Sequence, residues 1–193
     1  MNADPTHPLG ATDEPPSVSE RGPSSEPALI PDGATFELQT MAEAAHLAGL
    51  LAAAHPDPEK VVMGLTELLI NAVEHGNLGI TYQEKAELLE RGDLQAEIAR
   101  RLALPERAGR RVKVTFRRAE DHLSTWIEDE GEGFDWRPYL DYDPERALDP
   151  NGHGIAIARG VCFDDVTYHG RGNVVVATLR LPAQDASPAP APT

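Results

Sequence analysis

The chain has 193 residues, a formal net charge of −15 and an isoelectric point near 4.8. That balance argues against a nucleic-acid backbone as partner, and a basic protein surface is the better match. The single cysteine, Cys162, excludes an internal disulfide and suits a small buried hydrophobe in a reducing, cytoplasmic compartment.

Residues 1–33 are rich in Pro and Ser, and set Asp4, Asp13, Glu14, Glu20, Glu26 and Asp32 against Arg21 alone. Such a segment buries too little apolar surface to offset its ordering entropy, so a disordered tail is expected. The Pro- and Ala-rich residues 183–193 read the same way. Between them, residues 34–182 suffice for one core that buries roughly 70% of its unfolded surface. No basic segment followed by an apolar one opens the chain. The longest apolar stretch, around 47–54, is too short to span a membrane.

Alternation over 34–40 predicts a strand. Thr40 and Glu43 form a capping-box pattern for a helix over 41–54, which His55-Pro56 stops. A second helix is expected over 58–75, ended by Gly76. Residues 82–103 are dense in Glu, Lys, Arg and Leu and predict a third helix, mostly exposed, with its charges solvated. Two alternating runs, 111–118 and 122–128, predict a hairpin, with Trp126 facing the core. Residues 134–151 are irregular and contain Pro138, Pro144 and Pro150. A short helix follows to about 162, and then strands at 166–169 and 174–181 joined by the glycine-rich turn 170–173. Neighbouring antiparallel strands with grouped helices imply an α+β two-layer sandwich rather than a parallel alternation.

Three segments carry chemistry. On the second helix, Glu67, Asn71, Glu74 and His75 share one stripe, opposite Val61, Leu65, Leu68, Leu69 and Val73. Asn and Glu are hard oxygen donors, suited to Mg²⁺ and to a positioned hydroxyl; a merely wet surface face is the plain alternative. Asp129-x-Gly131-x-Gly133 closes a strand. Its acid can accept from an exocyclic amine such as adenine's, and its glycines allow close approach to a flat ring. An ordinary acidic turn is the alternative. Gly152-His153-Gly154 opens a helix, where free N–H groups can meet phosphate oxygens. The remaining histidines show no ligand spacing for a metal.

The order of these motifs resembles the GHKL ATP-binding superfamily, across about 34–182. The likeness is greatest to anti-sigma-factor serine/threonine kinases, whose helix motif is similar to the run from Glu67 to Gly76, and it continues through Gly154–Arg159, Phe163–Val166 and Ala177–Leu181. The resemblance implies a Bergerat-type ATP-binding fold with a mostly antiparallel sheet covered by helices. It implies ATP and Mg²⁺ as ligands, with Asn71 holding the metal and Glu67 orienting or deprotonating the attacking hydroxyl. Asp129 would read the adenine amino group, supported by Thr178. Gly131 and Gly133 would border the base, Gly152 and Gly154 would close on the phosphates, and His75 would lie near them or serve the helix. Implied partners are an anti-anti-sigma-like antagonist or a sigma factor, and a homodimer. The alternative function is a nucleotide-binding module that sequesters its partner without transfer.

Two features depart from the pattern. The stretch 134–151 lacks a Ser/Thr-rich lid and a lysine, with Arg137 and Arg146 as its only cations. Residues 80–110 form an insert, expected to make a partner surface or to pack over the sheet. Trp136, after the glycine loop, is placed either to line the pocket or to pin the loop.

Overall fold

The computed structural model describes residues 30–140 and 153–182. Five antiparallel strands form one sheet: β1 (Thr35–Leu38), β2 (Val112–Arg118), β3 (His122–Glu128), β4 (Asp165–His169) and β5 (Val174–Arg180), in spatial order β1-β2-β3-β5-β4. Val112, Val114 and Phe116 of β2 and Leu123, Thr125 and Ile127 of β3 alternate onto one face, where all six are buried. The helices cover that face, giving the expected two-layer α+β sandwich. Trp126 departs from expectation. It lies on the opposite face, 44% exposed, stacked on His169 at 5.9 Å, because its neighbours Thr125 and Ile127 take the two inward positions.

Helix α1 (Met41–Ala52) opens with the capping box: the Glu43 N–H donates to Thr40 Oγ1 at 3.2 Å and the Thr40 N–H to Glu43 Oε2 at 2.9 Å. Helix α2 (Pro58–Asn71) starts from Asp57, whose side chain accepts from the Lys60 N–H at 3.2 Å, with Pro58 in the first turn. Its buried stripe is Val61, Gly64, Leu65, Leu68 and Leu69. Gly64 is where α2 meets the second half of the domain: a Cβ there would stand 2.6 Å from Cys162 Cβ.

The helix does not end at Gly76. Past Asn71 it widens into a π turn over Ala72–Asn77, in which the Leu78 N–H donates to the Val73 carbonyl at 2.9 Å. The chain turns at Gly79, where φ is +63°. Such π turns occur disproportionately at functional sites.

The third helical stretch is two helices, α3 (Tyr82–Arg91) and α4 (Leu94–Leu102), broken at Gly92, whose φ of +74° ends α3 in the left-handed region. Thr81 and Glu84 cap α3 as a second capping box. Helix α5 (Gly154–Ile157) continues into a π turn over Ala158–Cys162 and leads into β4. Among the described residues, no helix is long and apolar enough to cross a membrane.

Candidate functional site

A cavity of about 860 Å³ lies between α2 with its π turn, the loop after β3, the start of α5 and the α3–α4 insert. Ligand pockets commonly have this size. Glu67, Asn71, His75 and Gly76 line it from the helix, Asp129 and Gly133 from the loop, and His153 and Gly154 from α5. Glu67 and Gly76 are nine residues apart, so the wall runs about 13 Å along the helix.

Asp129 marks one end. It sits at the C-terminal end of β3 and is 9% exposed. The π turn packs directly on it: a Cβ on Gly76 would fall 2.3 Å from Asp129 Cγ. A Cβ on Gly131 would fall 2.3 Å from the Gly76 carbonyl oxygen, so both glycines are needed for the helix end and the loop to touch. The Gly131 N–H donates to Asp129 Oδ1 at 2.8 Å. Burial pushes the Asp129 carboxyl up to about 6, partly offset by that bond and by the charges of Arg171 and Arg110. Beside it, Asn77 clamps the same turn by accepting from the Glu130 N–H at 2.8 Å, while its Nδ2 is buried without a partner among the described residues.

The support for Asp129 comes from Asn173, not Thr178. The Asp129 N–H donates to the Asn173 carbonyl at 3.0 Å, and Asn173 Nδ2 donates to the Asp129 carbonyl at 3.1 Å. Thr178 pairs with Ser124 of β3, whereas Val174 pairs with Glu128 next to Asp129. At about 3.3 Å per residue, Thr178 is too far along β5 to reach that acid. Gly133 (φ +79°) is held by the same β4–β5 turn: a Cβ there would meet the Arg171 carbonyl oxygen at 2.1 Å.

Glu67 marks the other end. A Cβ on Gly154 would lie 2.1 Å from Glu67 Oε2, so the start of α5 seats itself on this carboxylate. Asn71 follows one turn on, toward Asp129. Gly152 and Arg146 lie outside the described residues. His75 lies between the two ends and lines the cavity. Its Nδ1–H donates to the Ile80 carbonyl, leaving Nε2 as an acceptor, and burial holds the imidazole below its usual range. It therefore has a structural bond and a place at the cavity together.

Much of the insert is a solvated face, as expected: Glu87, Glu90, Arg91, Asp93 and Arg100 are exposed. Four of its cations turn inward instead. Lys85, Arg107 and Arg110 line the cavity, and Arg101 is buried, donating to the Leu78 and Gly79 carbonyls at 3.0 and 2.7 Å. Lys85 pairs with the buried Glu74. Helical periodicity does not foretell the bonds to Leu78 and Gly79, which reach the segment just after the π turn, although Arg101 also pairs with Glu97 along α4 and with Glu84 of α3. On the loop side, Arg137 is turned back, 2.9 Å from Asp135 and 5.0 Å over the Trp136 ring, and 72% of its side chain is exposed. Trp136 pins the loop by stacking on Tyr168 at 5.7 Å, and is not a wall of the cavity. Phe134 and Tyr168 are, and burial pushes the Tyr168 phenol up.

Among the described residues no group of three or more His, Cys, Asp or Glu side chains could hold a metal alone. The set present is one carboxamide and one carboxylate a turn apart. That set fits Mg²⁺, which keeps waters and takes much of its coordination from substrate phosphates.

No curated protein matches the chain. The profile of the histidine kinase-like ATPase domain matches residues 25–179, which take in α1, both ends of the cavity, the insert and nearly all of β5. The chain therefore belongs to the histidine kinase-like ATPase domain family, a membership that implies ATP as its ligand.

Proposed function

We propose that the chain is a Mg·ATP-dependent serine/threonine protein kinase that regulates a small antagonist protein, in the manner of anti-sigma partner switching. The observation that carries this reading is the placement of a buried acid, Asp129, and a Glu67–Asn71 pair at opposite ends of one cavity. Asp129 accepts from the purine amino group. Asn71 and Glu67 face the phosphate chain, with the N–H groups at the start of α5 nearby. Mg²⁺, when bound, supplies charge neutralisation across the phosphate oxygens.

In the transfer step, a Ser or Thr hydroxyl oxygen of the partner bonds to the terminal phosphorus and the bond from that phosphorus to its bridging oxygen breaks. ADP leaves, and Glu67 takes the hydroxyl proton. Such chemistry asks mainly for positioning and charge stabilisation, with a base contributing typically 10²–10⁴-fold. The position of Glu67 against Gly154 supports it as that base.

One observation favours a second reading, a module that binds ATP and sequesters a sigma factor or other regulator without transfer. Arg137, the described cation of the segment after the glycine loop, is engaged with Asp135 and Trp136. Incubation with radiolabelled ATP, Mg²⁺ and candidate antagonist proteins separates the two. The kinase reading expects a labelled partner from wild type, and from Glu67→Ala retained ATP affinity with transfer reduced about 10²–10⁴-fold. Wild type that binds ATP, captures a sigma factor and labels nothing establishes the second reading instead.

A further inference from the structure

Three cations from the insert line the cavity, and two of them are already engaged. Lys85 is neutralised by Glu74, which is 2% exposed. Arg110 donates through Nη1 to the Asn77 carbonyl at 3.0 Å. Arg107 differs. Its Nη1 is buried and has no hydrogen-bond partner among the described residues. The guanidinium lies over Gly79, where a Cβ would stand 2.8 Å from Nη1, so the bare backbone at Gly79 makes its room. Burial holds its pKa below the usual range, and Arg101 and Arg110 add to this by crowding it with like charge. A guanidinium with its Nη1 buried and unpartnered and with like charge crowding it is an expensive feature in the free protein, and an anion at the same place would relieve these penalties.

We propose that the α3–α4 insert completes the ligand site and that Arg107 binds the phosphate chain of the nucleotide. This rests on the ATP reading above and adds to it a binding residue outside the three motifs. It also gives the insert a role in the cavity: with Arg137 turned away, Arg107 supplies the positive charge that the segment 134–140 does not. Arginine suits the task because its planar fork can donate two bonds to one phosphate.

The test is calorimetric titration of the full chain with Mg·ATP, Mg·ADP and adenosine. It compares wild type, Arg107→Met, Arg107→Lys and Asp129→Asn. Arg107→Met is expected to weaken ATP and ADP at least tenfold while adenosine affinity stays within about twofold; Arg107→Lys recovers part of the loss. The dependence of ATP affinity on salt also weakens in Arg107→Met. Without nucleotide, Arg107→Met is expected to melt at or above the wild-type temperature. Unchanged ATP affinity in Arg107→Met overturns the proposal, as does an equal loss for ATP and adenosine. So does a fall in melting temperature of more than about 5 °C, the mark of a structural tether. Failure of Arg107→Met to fold also overturns it, unless Arg107→Lys folds and shows the phosphate-selective loss. Wild type that binds neither ATP nor adenosine overturns the ATP reading and this proposal together. Both ligands bound by wild type and lost in Asp129→Asn, with no change in Arg107→Met, overturns the role of Arg107 alone.

Discussion

Asp129 is a buried acid whose protonation is tied to stability and, in the proposed site, to binding. Its folded pKa of about 6 lies above the ordinary 3.8, so between those values the folded state holds a proton that the unfolded state has released. Stability contributed by that proton is full below about pH 4 and is lost as pH rises through about 6, by roughly 2–3 kcal/mol. Denaturant unfolding across about pH 4–7 should show this decline in wild type and a flatter profile in Asp129→Asn. Binding has the opposite sign. The ionised carboxylate is the stronger acceptor for an amine donor, so ATP affinity should fall as pH drops below about 6, read by calorimetry. An affinity that stays constant from about pH 7.5 to about 5 would remove Asp129 from the ligand. Gly154 offers a separate probe, because a Cβ there collides with Glu67 Oε2. Gly154→Ala should displace that carboxylate and reduce phosphoryl transfer at least about 10²-fold in the radiolabel assay.

The helix that carries Glu67 and Asn71 is legible in the sequence because its apolar stripe and its polar stripe are set at helical spacing on one short segment. The strands and both hairpins are legible for the same reason, at a period of two. The π turn is not, since one extra residue per turn leaves no compositional trace and is set by the contact of Gly76 with Asp129. Asn173 is hidden because an Asn in a glycine-rich turn looks like turn chemistry; only the pairing of Glu128 with Val174 brings it beside Asp129. Arg101 of the insert misleads in the same manner, reading as one more solvent-facing charge until its tertiary contacts are known. Packing of α2 can be tested at Gly64. Gly64→Ala places a methyl 2.6 Å from Cys162 Cβ and should destabilise the domain by about 1–3 kcal/mol in denaturant unfolding. Leu68→Ala, which truncates a buried core side chain that also borders the cavity, should cost about 2–5 kcal/mol by the same measurement.

Across the domain, the five-stranded sheet sets one wall of the cavity and the helices set the others. The loop after β3, the β4–β5 turn and the π turn meet around Asp129. Elements distant in sequence thus converge on one cavity, and ligand binding there should stabilise the domain as a unit. Saturating Mg·ATP at about 100 times its dissociation constant should add about 2.7 kcal/mol to unfolding, seen as a concentration-dependent rise in melting temperature. The family membership implies ATP as ligand, and the proposed function has the domain grip it by its base and its phosphates. A crystal structure with a non-hydrolysable ATP analogue and Mg²⁺ decides whether it does so. The purine amino nitrogen is expected about 3 Å from the Asp129 carboxylate, with the phosphates beside Asn71 and the start of α5. A nucleotide bound elsewhere, or with its base turned away from Asp129, contradicts that grip.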